Sequence, residues 1–148
     1  MTHPIATLIA TARPNFLILT VVCVLLGIAT ASQNTAIDSG LASQILITAL
    51  LAHISVNMLN EYHDFQSGLD LSTDRTPFSG GSGALPKQPE QAKTVLRTAL
   101  VLLALCILSG LYLMQKNLTL LMPLGLLGIF IVLTYTPVLN RHPIACLL

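Results

Sequence analysis

The second apolar run of the chain carries His53, Asn57, Asn60 and Asp64 at intervals of four, three and four residues, which aligns them along one face of a helix. Polar groups at membrane depth are costly unless partnered, so such a face points into a bundle or a wet cavity. Here that means a cleft opening toward the cytoplasm. Glu61, Asp64, Asp70 and Asp74 fall together, and the rest of the chain adds only Asp38 and Glu90. Carboxylates gathered this closely repel one another and persist where cations neutralise them. Hard oxygen donors suit Mg²⁺, which takes one or two carboxylates plus substrate phosphates. The plainer alternatives are interhelical hydrogen bonding for His53 and Asn57 and a solvated acidic loop for the others. Attachment of the acids to a membrane-embedded asparagine stripe, with Arg75 and a glycine-rich stretch close behind, weighs toward the metal site.

The elements that position these groups belong to a membrane protein. Of 148 residues, 53% are hydrophobic and 9% charged, against about 25% charged in an average soluble domain, and mean hydropathy is +0.77. A net charge of +1 gives no field that would draw in nucleic acid. Four runs, about Asn15 to Ala31, Leu41 to Leu59, Thr98 to Met114 and Leu118 to Val138, contain no Asp, Glu, Lys or Arg. Each approaches the roughly 20 helical residues that span a bilayer core. The expected fold is a single all-α domain over residues 1–148, a multi-pass transmembrane bundle of four helices with a functional loop at about 60–93. Arg13 before the first run superficially resembles a secretory signal, but the run is long for one and further spans follow. Cys23, Cys106 and Cys146 are far apart, so they read as small core residues rather than a disulfide or zinc framework. Within the loop, Ser79-Gly80-Gly81-Ser82-Gly83 is either a flexible linker or, between Arg75 and Lys87, an anion-binding turn.

The run from Asn57 to Asp70, Asn-Met-Leu-Asn-Glu-Tyr-His-Asp-Phe-Gln-Ser-Gly-Leu-Asp, resembles the first aspartate-rich motif of the UbiA-type intramembrane prenyltransferases. It is most similar to the dihydroxynaphthoate polyprenyltransferase branch of menaquinone synthesis. That branch reads approximately N-x-x-N-D-x-x-D-x-x-x-G-x-D, and this chain departs from it at Glu61, which keeps the charge on a longer arm. Arg13-Pro14 and Tyr135-Thr136-Pro137 resemble further family segments. The resemblance implies the N-terminal part of a roughly nine-helix fold whose second aspartate-rich motif follows a sixth helix. A chain of four helices is then a fragment, or one completed by a second chain supplying the C-terminal half.

By the same resemblance, an isoprenyl diphosphate binds with its head group at the cytoplasmic end of the bundle and its tail between helices. Asn60, Asp64, Asp70 and Asp74 would hold Mg²⁺, while Arg13, Asn57, Arg75 and Lys87 would face the diphosphate. An allylic cation would then be captured by an aromatic acceptor, dihydroxynaphthoate in kind. Asp64 and Asn60 carry most of this expectation, then Asp70, with Asp74, Glu61 and Asn57 behind. The competing class is a transporter or channel subunit with an acidic cytoplasmic cation site, since such residues also line ion paths. Against it, the acids gather at one membrane face.

Cytoplasmic loops collect Lys and Arg. Arg13 precedes the first run, Arg75, Lys87, Lys93 and Arg97 lie between the second and third, Arg141 follows the fourth, and the other side receives only Lys116. Both ends of the chain and the middle loop are therefore expected in the cytoplasm of a bacterial plasma membrane. Reporter fusions test this: a periplasm-active reporter should report only when joined within 33–40 or 115–117, and activity from a fusion near Lys87 would invert the topology.

Overall fold

The computed structural model describes residues 4–72 and 81–134, apart from the side chains of Leu71 and Ser72. Every regular element among them is helical. In order these are α1 (Pro4–Ala12), α2 (Pro14–Ala31), α3 (Ser39–Ser67), α4 (Leu69–Ser72), α5 (Ala84–Lys87), a 3-10 turn (Pro89–Gln91), α6 (Ala92–Met114) and α7 (Leu118–Thr134). Three helical stretches, Pro14–Ala31, Ser39–Ser67 and Pro89–Met114, are long and apolar enough to cross a bilayer, and α7 is a shorter apolar helix. The chain is an integral membrane helical bundle.

Local chemistry sets the boundaries. Pro14 opens α2, where its missing N–H costs nothing. Asp38 caps α3, its Oδ1 accepting from the backbone N–H of Gly40 at 2.8 Å and of Leu41 at 3.1 Å. At the other end Gly68 adopts a left-handed conformation, φ 78°, and stops α3. The second apolar run ends near Leu59, yet the helix continues to Ser67, because residues 60–67 change the solvent the helix meets and not its backbone preference. Likewise α6 begins at Ala92, before the apolar run at Thr98. The nine-residue α1 was not anticipated. Pro123 lies inside α7, and the expected end of the fourth run at Val138 lies outside the described residues, with Tyr135-Thr136-Pro137 and Arg141.

Helix α3 is the hub, touching α1, α2, α4, α5 and α6. Its seam with α6 is held by small and polar residues, as in membrane helix pairs generally. The Ser55 hydroxyl donates to the Ala99 carbonyl at 2.9 Å. Gln44 Nε2 donates to Ser109 Oγ at 2.6 Å, and Thr48 Oγ1 bonds the same hydroxyl at 2.5 Å. The tightest packing lies at the polar end of this seam, where Met58, Leu59, Leu85, Ala92, Val95 and Ala99 form a buried cluster. Helix α1 roofs that end through Thr7, whose hydroxyl donates to Gln88 Oε1 at 2.5 Å. No residue of α2 or α7 is buried, and outward side chains such as Leu26 and Phe130 suit a hydrocarbon surround.

Leu85 is fully buried beneath the polar end, whereas Leu108 is 63% exposed on the apolar flank of α6. Leu85→Ala should destabilise by about 2–5 kcal/mol, read as a lowered thermal midpoint in lipid nanodiscs. Leu108→Ala should stay within about 0.5 kcal/mol of the parent, and equal effects would contradict this core.

Candidate functional site

Counted from Leu41, about 30 Å of hydrocarbon is crossed near Asn60 at roughly 1.5 Å per residue. The last two turns of α3 therefore carry Asn60, Glu61 and Asp64 into the polar layer. His53, Asn57, Asn60, Glu61 and Asp64 share a sector of about 100° at 3.6 residues per turn, facing α1, α2 and the glycine turn.

Along this sector partners change with depth. His53 Nδ1 bonds Thr20 Oγ1 of α2 at 2.5 Å, which is the plain interhelical reading. One turn on, buried Asn57 donates from Nδ2 to the Ala12 carbonyl at 2.9 Å, satisfying an acceptor that the end of α1 leaves open. Another turn on, Glu61 is 1% exposed. Its Oε1 accepts the Ser82 backbone N–H at 2.6 Å and its Oε2 accepts the Ser82 hydroxyl at 2.6 Å. Arg13 Nε lies 3.5 Å from Oε1, while its guanidinium sits 5.0 Å above the Phe16 ring.

Arg13 itself is strained. Among the described residues it is the only non-glycine with positive φ, at 54°, and it forms the elbow between α1 and α2. Such a conformation costs about 1–2 kcal/mol, and it persists where surrounding contacts over-determine it.

Gly81 and Gly83 also have positive φ, 73° and 67°. A Cβ on Gly81 would lie 2.7 Å from Asp70 Oδ1 and 3.4 Å from Glu61 Oε1, so the missing side chain lets the turn close over two carboxylates. The stretch 79–83 was open between linker and anion-binding turn. Its described part binds an anion, and that anion is the chain's own Glu61. Asp70 is 4% exposed, returned toward α3 by the left-handed turn at Gly68. Its charge acts repulsively on both Glu61 and Asp64, and that of Arg13 attractively.

The expected site residues are thus partly assembled. Asn60 and Asp64 are half-buried on the α3 face, and Asp70 is brought back beside them. Asp74 and Arg75 lie outside the described residues. Lys87 is exposed at the end of α5 and lines a recess of about 230 Å³ that shares Ala10 and Ser82 with the recess of about 210 Å³ at Arg13. Among the described residues no three His, Cys, Asp or Glu side chains converge as a ready metal cage. Asp64 and Asp70 nevertheless fit Mg²⁺, which is usually bound by one or two carboxylates with substrate phosphates completing its shell. Ser82 was not singled out from sequence. Its partner Glu61 could have been promoted, since it lies four residues beyond Asn57 and eight beyond His53.

The sequence matches the UbiA prenyltransferase family over residues 20–148. A 1,4-dihydroxy-2-naphthoate octaprenyltransferase of Bacillus subtilis (strain 168) is 34% identical over 124 residues, 84% of this chain and 39% of that protein. The chain therefore spans about two fifths of that relative's length. No solved structure matches.

Gly68 and Gly81 separate backbone strain from crowding. A Cβ at Gly68 meets nothing within 4 Å, so Gly68→Ala should cost only the left-handed penalty, about 1–2 kcal/mol. Gly81→Ala adds the clash with Asp70 and should lower the thermal midpoint further. The reverse ranking would place Asp70 away from the turn.

Proposed function

The chain belongs to the UbiA prenyltransferase family, and from that premise we propose that it serves transfer of a polyprenyl group from an isoprenyl diphosphate to an aromatic acceptor, 1,4-dihydroxy-2-naphthoate, in menaquinone synthesis at a bacterial plasma membrane. The observation that supports this best is local. Asp70 folds back toward Asp64 and Glu61 over Gly81, with Arg13 set against them, at the polar end of a membrane-crossing helix. Such a site faces both an ionic head group and an apolar tail. Because the chain spans 39% of its relative's length, the complete site would draw on a further stretch or a second chain. Neither comparison points to a transporter.

In this reading Asn60, Asp64 and Asp70, with Asp74, would hold Mg²⁺. When bound, Mg²⁺ neutralises diphosphate charge and eases departure of the leaving group. Arg13 contributes a guanidinium with five N–H donors, of which the contact to Glu61 uses Nε, so it can also address diphosphate oxygens. Arg75 and Lys87 add positive charge, and Asn57 fixes the elbow that carries Arg13. The allylic C–O bond breaks with its electron pair leaving on the diphosphate. A ring carbon of the acceptor then forms the new C–C bond and loses its proton. An apolar groove of about 550 Å³ between α3, α6 and α7, with Thr48 and Ala52 on its α3 wall, lies on the opposite side of α3 from this face, so the dry surface that keeps water from the cation would come from elsewhere in the complete site.

The test is Asp64→Ala in the full-length protein reconstituted in lipid. Mg²⁺-dependent diphosphate binding and turnover should fall by about 100-fold or more. Lys93→Ala and Arg97→Ala, at exposed positions on the first turns of α6, should change little. Near-normal turnover of Asp64→Ala would refute the assignment.

A further inference from the structure

We propose that Glu61 is a positioning residue, a carboxylate whose arm length clamps the glycine turn and Arg13 in place, and that it is not a ligand of the metal. Both oxygens already receive protein donors: Ser82 N–H and Arg13 Nε at Oε1, and Ser82 O–H at Oε2. The side chain is 1% exposed, against 22% for Arg13. A divalent cation sharing Oε1 would be forced beside the guanidinium, where like charges oppose it. Asp64 lies half-buried on the same face.

Length is the second argument. Both Ser82 bonds are 2.6 Å. Aspartate at this position would withdraw the carboxylate by about 1.5 Å, one carbon–carbon bond, and stretch both contacts beyond hydrogen-bonding range. Gly81 completes the fit, since any side chain there would collide with Asp70. One side chain thus pins segments around residues 13, 61 and 82 together. It fixes the direction of the Arg13 guanidinium and of the turn. What the clamp serves rests on the diphosphate reading, whereas the clamp itself is tested without substrate.

Two substitutions separate reach from charge. Glu61→Gln keeps the length: its Oε1 still accepts the Ser82 N–H, and its amide can donate to Ser82 Oγ. Glu61→Asp keeps the charge and loses the reach. Hydrogen exchange of the 81–88 segment, measured on the lipid-reconstituted protein without metal or diphosphate, should be near the parent rate in Glu61→Gln. It should be about tenfold faster or more in Glu61→Asp, with Ser82→Ala changing in the same direction. In the full-length protein the KM for prenyl diphosphate should rise about tenfold in Glu61→Asp, with little change in Glu61→Gln and kcat similar in both. The opposite order, Glu61→Asp active and protected while Glu61→Gln fails, would identify the charge as what matters and overturn the proposal. An unchanged KM in Glu61→Asp despite faster exchange would confine the clamp to the fold and overturn the positioning role. Absence of Mg²⁺-linked pyrophosphate binding in the parent would instead sink the diphosphate reading, while the exchange order would still report on the clamp.

Discussion

A helix crossing about 30 Å of hydrocarbon must have every polar side chain partnered, since no water is there to do it. Helix α3 obeys this at five positions within its apolar run. Gln44 and Thr48 bond Ser109, Ser55 bonds the Ala99 carbonyl, His53 bonds Thr20, and Asn57 bonds the Ala12 carbonyl. The first three fasten α3 to α6, and the other two fasten it to α2 and to the end of α1. The bundle is thereby stitched on two sides by one helix, and the stitching on the α1 side leads directly to Glu61.

At Glu61 the requirement changes character. Taking a carboxylate out of water costs several kcal/mol, and hydrogen bonds to a charged group return about 1.5–3 kcal/mol each. Two Ser82 bonds and the Arg13 contact therefore roughly offset burial. The surplus available to hold the left-handed Arg13 elbow, at about 1–2 kcal/mol, is small, so this elbow also depends on Asn57 and on the Phe16 ring. Geometry is what this arrangement secures, since the net energy is modest.

Much of this was legible in the residues. Apolar runs located α2, α3 and α6, and the interval of His53, Asn57, Asn60 and Asp64 located the polar face of α3. Hydropathy could not show where α3 stops, because Asn60 to Ser67 leave the membrane without leaving the helix. Helix α1 was hidden because its buried residues are Thr7 and Thr11, whose hydroxyls bond Gln88 and the preceding turn, not an apolar stripe. The resemblance supplied Asp64 and Asp70 as a pair. Sequence alone could not show that the glycine turn would close on Glu61, since that contact joins residues 21 positions apart.

Gly68 sets a rule about chain length. The three residues between Asp64 and Gly68 and the reversal at Gly68 fix where Asp70 comes back. Adding or removing one residue there would rotate everything beyond by about 100° and shift it about 1.5 Å, sending Asp70 off its side of the helix. The exposed side chains at Gln66 and Ser67 can vary, whereas insertions and deletions cannot be absorbed. Sequences that share this site should therefore keep the spacing even where the letters differ.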